Sequence, residues 1–474
     1  MATKITFLSH ASHLFETPRV RILVDPWLVG SCYWRSWWNY PPVREDLIAG
    51  LKPDAIYITH FHWDHWHGPT LKKLFPKDTL IITHDEPNTR SVRDLRSIGF
   101  KNLRLLKHGE RFRIEDVDMT AYQFGLFLND STIVMETEDL VLLNANDCKI
   151  AGSSLKHLLS RHRPIDIALR SHSSANDRVC YTIKNDDQFN NDDPLHYTKT
   201  FKYFMDAVRP RYAVPFASNH CHLHRDAVQF NGLINDPYKL EAQLRNEERK
   251  GGWEIKIALS GDTYSADTGF SIDPSNREYF DQKEKHIAEY AEANRDRLEK
   301  FYDVEHRAAI TPKILERFEA QIRAIPWWSR FRFRNWKYQV ILTLGAKETY
   351  LVVDPWNCRV TQVDTPSDEL SKIFIPTKIF IDAVVLNMFH HGSISKRNRY
   401  LFNDVENLRL FEKFQDELEK VEMEAYPVRF SYLSKLLLAY VRRRHELLVY
   451  FKALLLKLRG MSMYKIEEEI LKAN

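Results

Sequence analysis

Eight short apolar runs dominate the first 270 residues: 5–8, 20–24, 55–58, 79–82, 132–135, 140–143, 165–169 and 212–214. Each holds three to five residues between polar turns, the length of a buried or half-buried strand and too short for a helix. Many strands with few helical stretches between them predict stacked sheets with helices outside. The pattern changes between about 275 and 325, where charge-rich helical sequence such as 277–301 appears and Thr311-Pro312 marks a helix start. Beyond it, 338–344 and 350–353 flank Gly345-Ala346-Lys347-Glu348 as a hairpin, and a later strand is expected near Val360. The shifts divide the chain into a unit over 1–275, a helical linker over 276–330 and a smaller α+β unit over 331–474 with a basic helical tail.

Composition narrows the function classes. Apolar residues at 44% and charged residues at 28% describe a folded chain rather than a disordered one. A net charge of +4 is far from the footprint of a nucleic-acid binder, so no nucleic-acid partner is expected. The five cysteines, Cys32, Cys148, Cys180, Cys221 and Cys358, contain no CxxC pair and form no disulfide framework, which points to a reducing, cytoplasmic setting. No signal-peptide core and no run of spanning length is read. In the tail, Leu436-Leu437-Leu438, Arg442-Arg443-Arg444 and Leu454-Leu455-Leu456 are read first as a helix packed on its own domain with a solvated basic face, and second as a peripheral membrane contact. Histidine, with 20 residues, outnumbers glycine, with 15, and neither GxGxxG nor GxxxxGK[ST] occurs. Phosphate-loop chemistry therefore loses its main support, and imidazole chemistry takes its place.

The histidines are localised. Thr59-His60-Phe61-His62-Trp63-Asp64-His65 directly follows the run 55–58, so its polar groups stand where a buried strand emerges into a loop. Extended geometry is expected to point His60 and His62 to one side, with the turn at Asp64-His65 bringing two further ligand types round. Imidazole with carboxylate oxygen suits zinc, iron or manganese. Asp147 closes the run after 140–143 and is suited to bridging two cations. His220, His222 and His224 follow the strand at 212–214 at alternate positions, and one of them is expected to reach a metal. His172 is a further candidate, either as a ligand or as support behind one.

On these residues the first 270 positions resemble the metallo-β-lactamase fold, an α/β/β/α sandwich whose HxHxDH signature matches His60, His62, Asp64 and His65. Ser9-His10-Ala11-Ser12 and 23–28 resemble the opening of lactonase-like and phospholipase-like members, in which the residues matching His10 and Asp25 stand at the edge of the site. Asn146-Asp147-Cys148, the stretch from Arg211 to His224 and Asn235-Asp236-Pro237 resemble CMP-N-acetylneuraminate hydroxylase and its bacterial relatives, and so does 393–397. Two features depart from that family. Cys221 and His224 have CxxH spacing but no CxH partner, so no Rieske cluster is read here and electrons are expected from a separate donor. A ligand histidine expected just before the strand at 132–135 is replaced by Leu126 and its neighbours, so two iron ions are the first expectation and a single ion the second.

The first functional reading is an iron-dependent, oxygenase-type hydroxylase of a small metabolite such as a sugar or nucleotide sugar, with metal held by His60, His62, Asp64, His65, Asp147 and His224. Asp64 and His172 are the candidate catalytic groups, and the aromatic stretch 33–40 is either a lid or a loop packed on the second unit. The second reading is a zinc or manganese hydrolase of a lactone, phosphodiester or amide, in which Asp64 orients a metal-activated hydroxide. The third is a scaffold with a degenerate site, prompted by Leu126.

Overall fold

The computed structural model describes residues 2–88, 90–125, 130–173, 175, 177–186 and 194–472. Two mixed sheets stack face to face. The eight-stranded sheet runs Gly269–Ser271, Thr263–Ser265, Lys4–Phe7, His13–Glu16, Arg21–Val24, Ala55–Ile58, Leu80–His84, Leu103–Leu106. The seven-stranded sheet runs Glu254–Ile255, Tyr212–Phe216, Ile167–Ser171, Val141–Asn146, Asp130–Glu136, Val117–Phe124, Arg111–Ile114.

The period of two along each strand sorts side chains between layers. Ile22, Val24 and Tyr57 face Met119, Ile133, Leu142, Leu169 and Phe216 of the other sheet. Leu23, Ile56 and Ile58 point outward onto Leu71, Phe75 and Leu95, carried in and beside the helices Gly68–Leu74 and Arg90–Ser97. On the opposite flank Leu143, Ala168 and Ala213 pack against Leu155, Phe201 and Phe204 of Gly152–Leu159 and Pro194–Val208. The result is the expected α/β/β/α sandwich.

Within each sheet a central block is parallel: Arg21–Val24 with Ala55–Ile58 and Leu80–His84, and Val141–Asn146 with Ile167–Ser171 and Tyr212–Phe216. Their carboxyl ends lead into Asp25, Thr59 to His65, Asp147, His172 and Ala217 to His220. Ligand sites in such sheets form beyond the carboxyl ends of the strands.

A third sheet runs Tyr181–Ile183, Arg399–Phe402, Lys372–Pro376, Tyr338–Leu344, Lys347–Asp354, Arg359–Val363. It contains the hairpin around Gly345, whose φ of 61° suits the tight turn, and the strand at Val360. The packing units cross the boundaries read from composition. Tyr181–Ile183, from within 1–275, pairs parallel with Arg399–Phe402. The helices Arg444–Leu458 and Met463–Lys472 leave the third sheet and bury Val449, Leu456, Ile466 and Ile470 in the outer layer of the first unit. Composition marks where helix content changes, not where an apolar face finds its cover. Between them, 276–330 is helical, with Pro312 opening Pro312–Ala324. No helix among the described residues is long and apolar enough to cross a membrane.

Candidate metal centre

Asp25 organises the strand ends. It is buried with a left-handed φ of 44°, and its carboxylate accepts hydrogen bonds from Thr59 N at 2.8 Å, Thr59 Oγ1 at 2.7 Å and Asn146 Nδ2. The same carboxylate lies 2.8 Å from His65 Nδ1. A proton on Nδ1 donated to Asp25 leaves Nε2 of His65 facing out, 3.1 Å from Asp147 Oδ2 and 3.4 Å from Asp64 Oδ2. Burial works against charge on this imidazole, but Asp64 and Asp25 outweigh it and raise its pKa well above the usual histidine value. The proton on Nδ1 stays with Asp25, and a metal held by Nε2 would take the place of the second proton that this raised pKa favours.

Donor atoms of His60, His65 and Asp147 lie within 4.8 Å of one another, and so do those of His10, Asp64 and His65. The two groups share His65. His60 and His62 come together, ring centroids 4.7 Å apart, through a turn rather than by strand alternation: the strand ends at Ile58, and the N–H groups of His65 and Trp66 both bond to the carbonyl of His62. Burial, reinforced by His65, lowers His60 to about 3, and burial with His60 takes His62 well down, so both are neutral imidazoles as ligands must be. Asp64 is fixed on both oxygens, by Tyr33 OH donating at 2.5 Å and by His10 Nε2 at 3.1 Å.

The cavity over these groups has a volume of about 280 Å³. His10, His62, Asp64, Asp147, Asp130 and His220 line its metal side, and Lys149, Arg170, Tyr197 and Thr200 line another wall. Burial, then Asp147, pushes the Asp130 carboxyl up to about 7. Nε2 of His62 and Nε2 of His220 are buried without a protein partner. Such orphaned acceptors are rare unless something else binds them, and here they border a cavity already rich in nitrogen and oxygen donors.

Residues 4–125 match the family described as Beta-lactamase superfamily domain. The β-lactamase superfamily match ends at the last described residue before Leu126, and Leu126 itself lies outside the described residues. The chain is 29% identical over 155 residues to cytidine monophosphate-N-acetylneuraminic acid hydroxylase of Mus musculus, which is 31% of this chain and 26% of that protein. Among the first curated relatives it matches, the chain spans from about a quarter to about half of their length. Similar solved structures include the diiron β-hydroxylase CmlA of Streptomyces venezuelae, at 16% identity and TM-score 0.40 over 56% of this chain and 54% of that one. They also include Igni18, a metallo hydrolase of Ignicoccus hospitalis, at 16% identity and TM-score 0.37 over 56% and 97%.

The structure gathers His60, His62, Asp64, His65 and Asp147 as the sequence suggests, but it does not bring His224 to them. The strand His220–His222 keeps its alternation only to His222, after which the N–H groups of Ala227 and Val228 bond back to the carbonyl of His224. That turn carries the His224 ring away, 3.4 Å from Glu305 Oε2 and against Tyr302. Of the three histidines it is His220 that lines the cavity, while His222 is 3.1 Å from Ser36 Oγ and Cys221 packs with Trp38. His172 is buried, and the cavity wall is made by its neighbours Ser171 and Ser173.

The stretch 33–40 is packed on the third sheet's unit: Trp34 Nε1 donates to Asp382, Trp37 Nε1 to the Ile394 carbonyl and Ser36 Oγ to the Ser395 carbonyl. Tyr33, Trp34 and Arg35 hold consecutive left-handed φ values of 49°, 54° and 62°, a costly run for residues with a Cβ that these tertiary bonds maintain. Three contributors were not among the site residues read from the sequence, although Tyr33 lies in the aromatic stretch 33–40. Tyr33 reaches Asp64 from this strained turn, His390 stacks near His62 from the helix Phe389–Ile394 with centroids 5.3 Å apart, and Glu467 joins the cavity wall from the last helix.

Proposed function

We propose that this chain is a metal-dependent hydroxylase of the oxygenase type, acting on a small, sugar-sized metabolite with iron in the centre and electrons from a separate donor. The observation that carries the reading is His65, whose Nε2 faces Asp147 and Asp64 while neutral His60 and His62 close the other side. This is a nitrogen and oxygen donor set without thiolate, which suits iron, zinc or manganese. The match over 155 residues to a protein named a hydroxylase supports iron among them.

His60, His62, Asp64, His65 and Asp147 would hold the metal, with His10 and His220 in reach in place of His224. Bound iron would supply dioxygen activation. The chain's own residues do the positioning. Asp25 fixes the tautomer and direction of His65, and Tyr33 with His10 fixes both oxygens of Asp64. Trp37 covers His220 and keeps water from that flank. Lys149 and Arg170 flank Glu467 on this wall, which leaves one net positive charge for an anionic or hydroxyl-rich substrate, with Tyr197 and Thr200 beside them. A cavity of about 280 Å³ accommodates a molecule of sugar size at the small end of ligand pockets.

The test is metal analysis of protein purified with and without oxygen, followed by oxygen uptake after ferrous iron and a reductant are added. Stoichiometric iron and reductant-dependent uptake are expected. Stoichiometric zinc alone, with turnover of generic esters or phosphodiesters under nitrogen, overturns the proposal in favour of a hydrolase.

A further inference from the structure

The helices Phe430–Arg442 and Arg444–Leu458 leave one apolar face uncovered. Phe430 is 87% exposed, Leu437 67%, Val441 60%, Leu448 61%, Phe451 62% and Leu458 77%. Within each helix they recur at three, four or seven residues, which gives each one an exposed apolar stripe on its side of the break at Arg443. The opposite face is seated: Val449 and Leu456 pack into the first unit, Ser153 Oγ donates to the His445 carbonyl, and Glu446 accepts from Gly125 N at 2.7 Å. The uncovered face therefore belongs to helices fixed on the body of the protein.

Charge decides what covers it. From Arg429 to Lys465 there are nine lysines and arginines and a single acid, Glu446, a balance of +8 in a chain whose total is +4. Glu446 is already taken by the buried Arg443. Arg444, four residues before Leu448 and seven before Phe451, and Arg459, four after the exposed Leu455, are exposed on the stripe's side, whereas Lys435 and Arg442 face Asp85 and Glu86 across a small pocket. A second copy docking by this face would set its exposed cations against themselves with no acid of the segment free to answer them. A bilayer with anionic headgroups satisfies both features, accepting the apolar stripe at the headgroup boundary and the cations among the headgroups. We infer that this face holds the protein on an anionic membrane surface. The inference is independent of the chemistry proposed for the metal centre.

Flotation of the full chain with vesicles of phosphatidylcholine, alone or with about one third phosphatidylglycerol, tests it. Binding to the anionic vesicles is expected to exceed that to neutral ones at least ~10-fold, and to fall steeply between roughly 0.1 and 0.5 M salt. Leu437→Glu with Phe451→Glu is expected to abolish binding, and Arg444→Glu with Arg459→Glu to remove the preference for anionic lipid, with unchanged thermal melts because all four side chains are exposed. Absence of flotation, or flotation indifferent to lipid charge, overturns the inference. So does a dimer in sedimentation that Leu437→Glu with Phe451→Glu dissociates, which would make the face a subunit interface.

Discussion

Trp37 lies flat on His220, with ring centroids 3.6 Å apart and planes 2° from parallel. Nδ1 of His220 is 3.1 Å from the Ser218 carbonyl, and Nε2 borders the cavity without a partner. The imidazole is thus clamped on its face and at one nitrogen, which leaves the other presented as a ligand would be. Trp37→Ala removes the clamp and a fully buried indole, and should cost about 3–5 kcal/mol of stability. Trp37→Phe keeps a ring and should cost less. His220→Ala also empties a buried, stacked position and should cost about 2 kcal/mol, but it should leave the chain folded while weakening metal binding by at least ~10-fold in competition with a chelator. Unchanged metal affinity in His220→Ala would remove His220 from the centre.

Asp25 is not part of the lining of the cavity over the centre, but it holds His65, the residue shared by both donor groups. Asp25→Asn places an amide among groups that donate to Asp25, namely Thr59 N, Thr59 Oγ1 and Asn146 Nδ2. Metal affinity should drop about 10- to 100-fold, as for other residues that support a ligating histidine. Chelator competition gives the number, and affinity within twofold of the parent would show that His65 is oriented without Asp25.

His224 supports the opposite expectation. Its neighbour Glu305 is gripped by Arg397, with Nη1 donating to Oε1 at 2.6 Å and Nη2 to Oε2 at 3.0 Å, and Arg397 also holds Asp226 and the Trp34 carbonyl. This buried network ties the helix Arg295–His306, the turn after His222 and the third sheet's unit together. Arg397→Met strands the buried Glu305 carboxylate, while Asp226 keeps its access to water, and should destabilise by about 3 kcal/mol. His224→Ala should leave metal content unchanged in elemental analysis, and loss of metal would restore His224 to the ligand set.

The contrast between His220 and His224 shows what was legible. Strand periodicity carries information while the strand lasts, so the layer assignments of Ile22 against Leu23 and of Leu142 against Leu143 follow from alternation alone. The cluster at His60 to His65 was legible because four candidate ligands, three imidazoles and a carboxylate, crowd into one strand exit. Beyond His222 the period fails, since a turn resets the direction of every later side chain. Tyr33, His390 and Glu467 come from segments far away in sequence, and only packing between units places them at the cavity. The same packing explains why composition misplaced the last helices, which cover the first unit although they follow the third sheet.

Glu467 gives that packing a measurable pH dependence. Burial pushes its carboxyl up, but Lys149, His196 and Arg170 overcome this and hold it at about 2, below its usual value of 4.5. A carboxyl depressed in the folded state stabilises it fully above about pH 4.5, and that stability is lost as pH falls towards 2. The shift sets a ceiling of about 3 kcal/mol, and partial solvent access brings the expected contribution to about 1–2 kcal/mol. The opening free energy of the helix Met463–Lys472, followed by amide hydrogen exchange in the parent and in Glu467→Gln, reads it directly. The parent should exceed the variant by that amount at pH 7, and the two should converge as pH falls through 4.5 towards 2. A gap that is absent at pH 7, or that persists unchanged at the acid end, would mean that the last helix is held by Ile466, Ile470 and Leu471 alone and that Glu467 adds nothing to its docking.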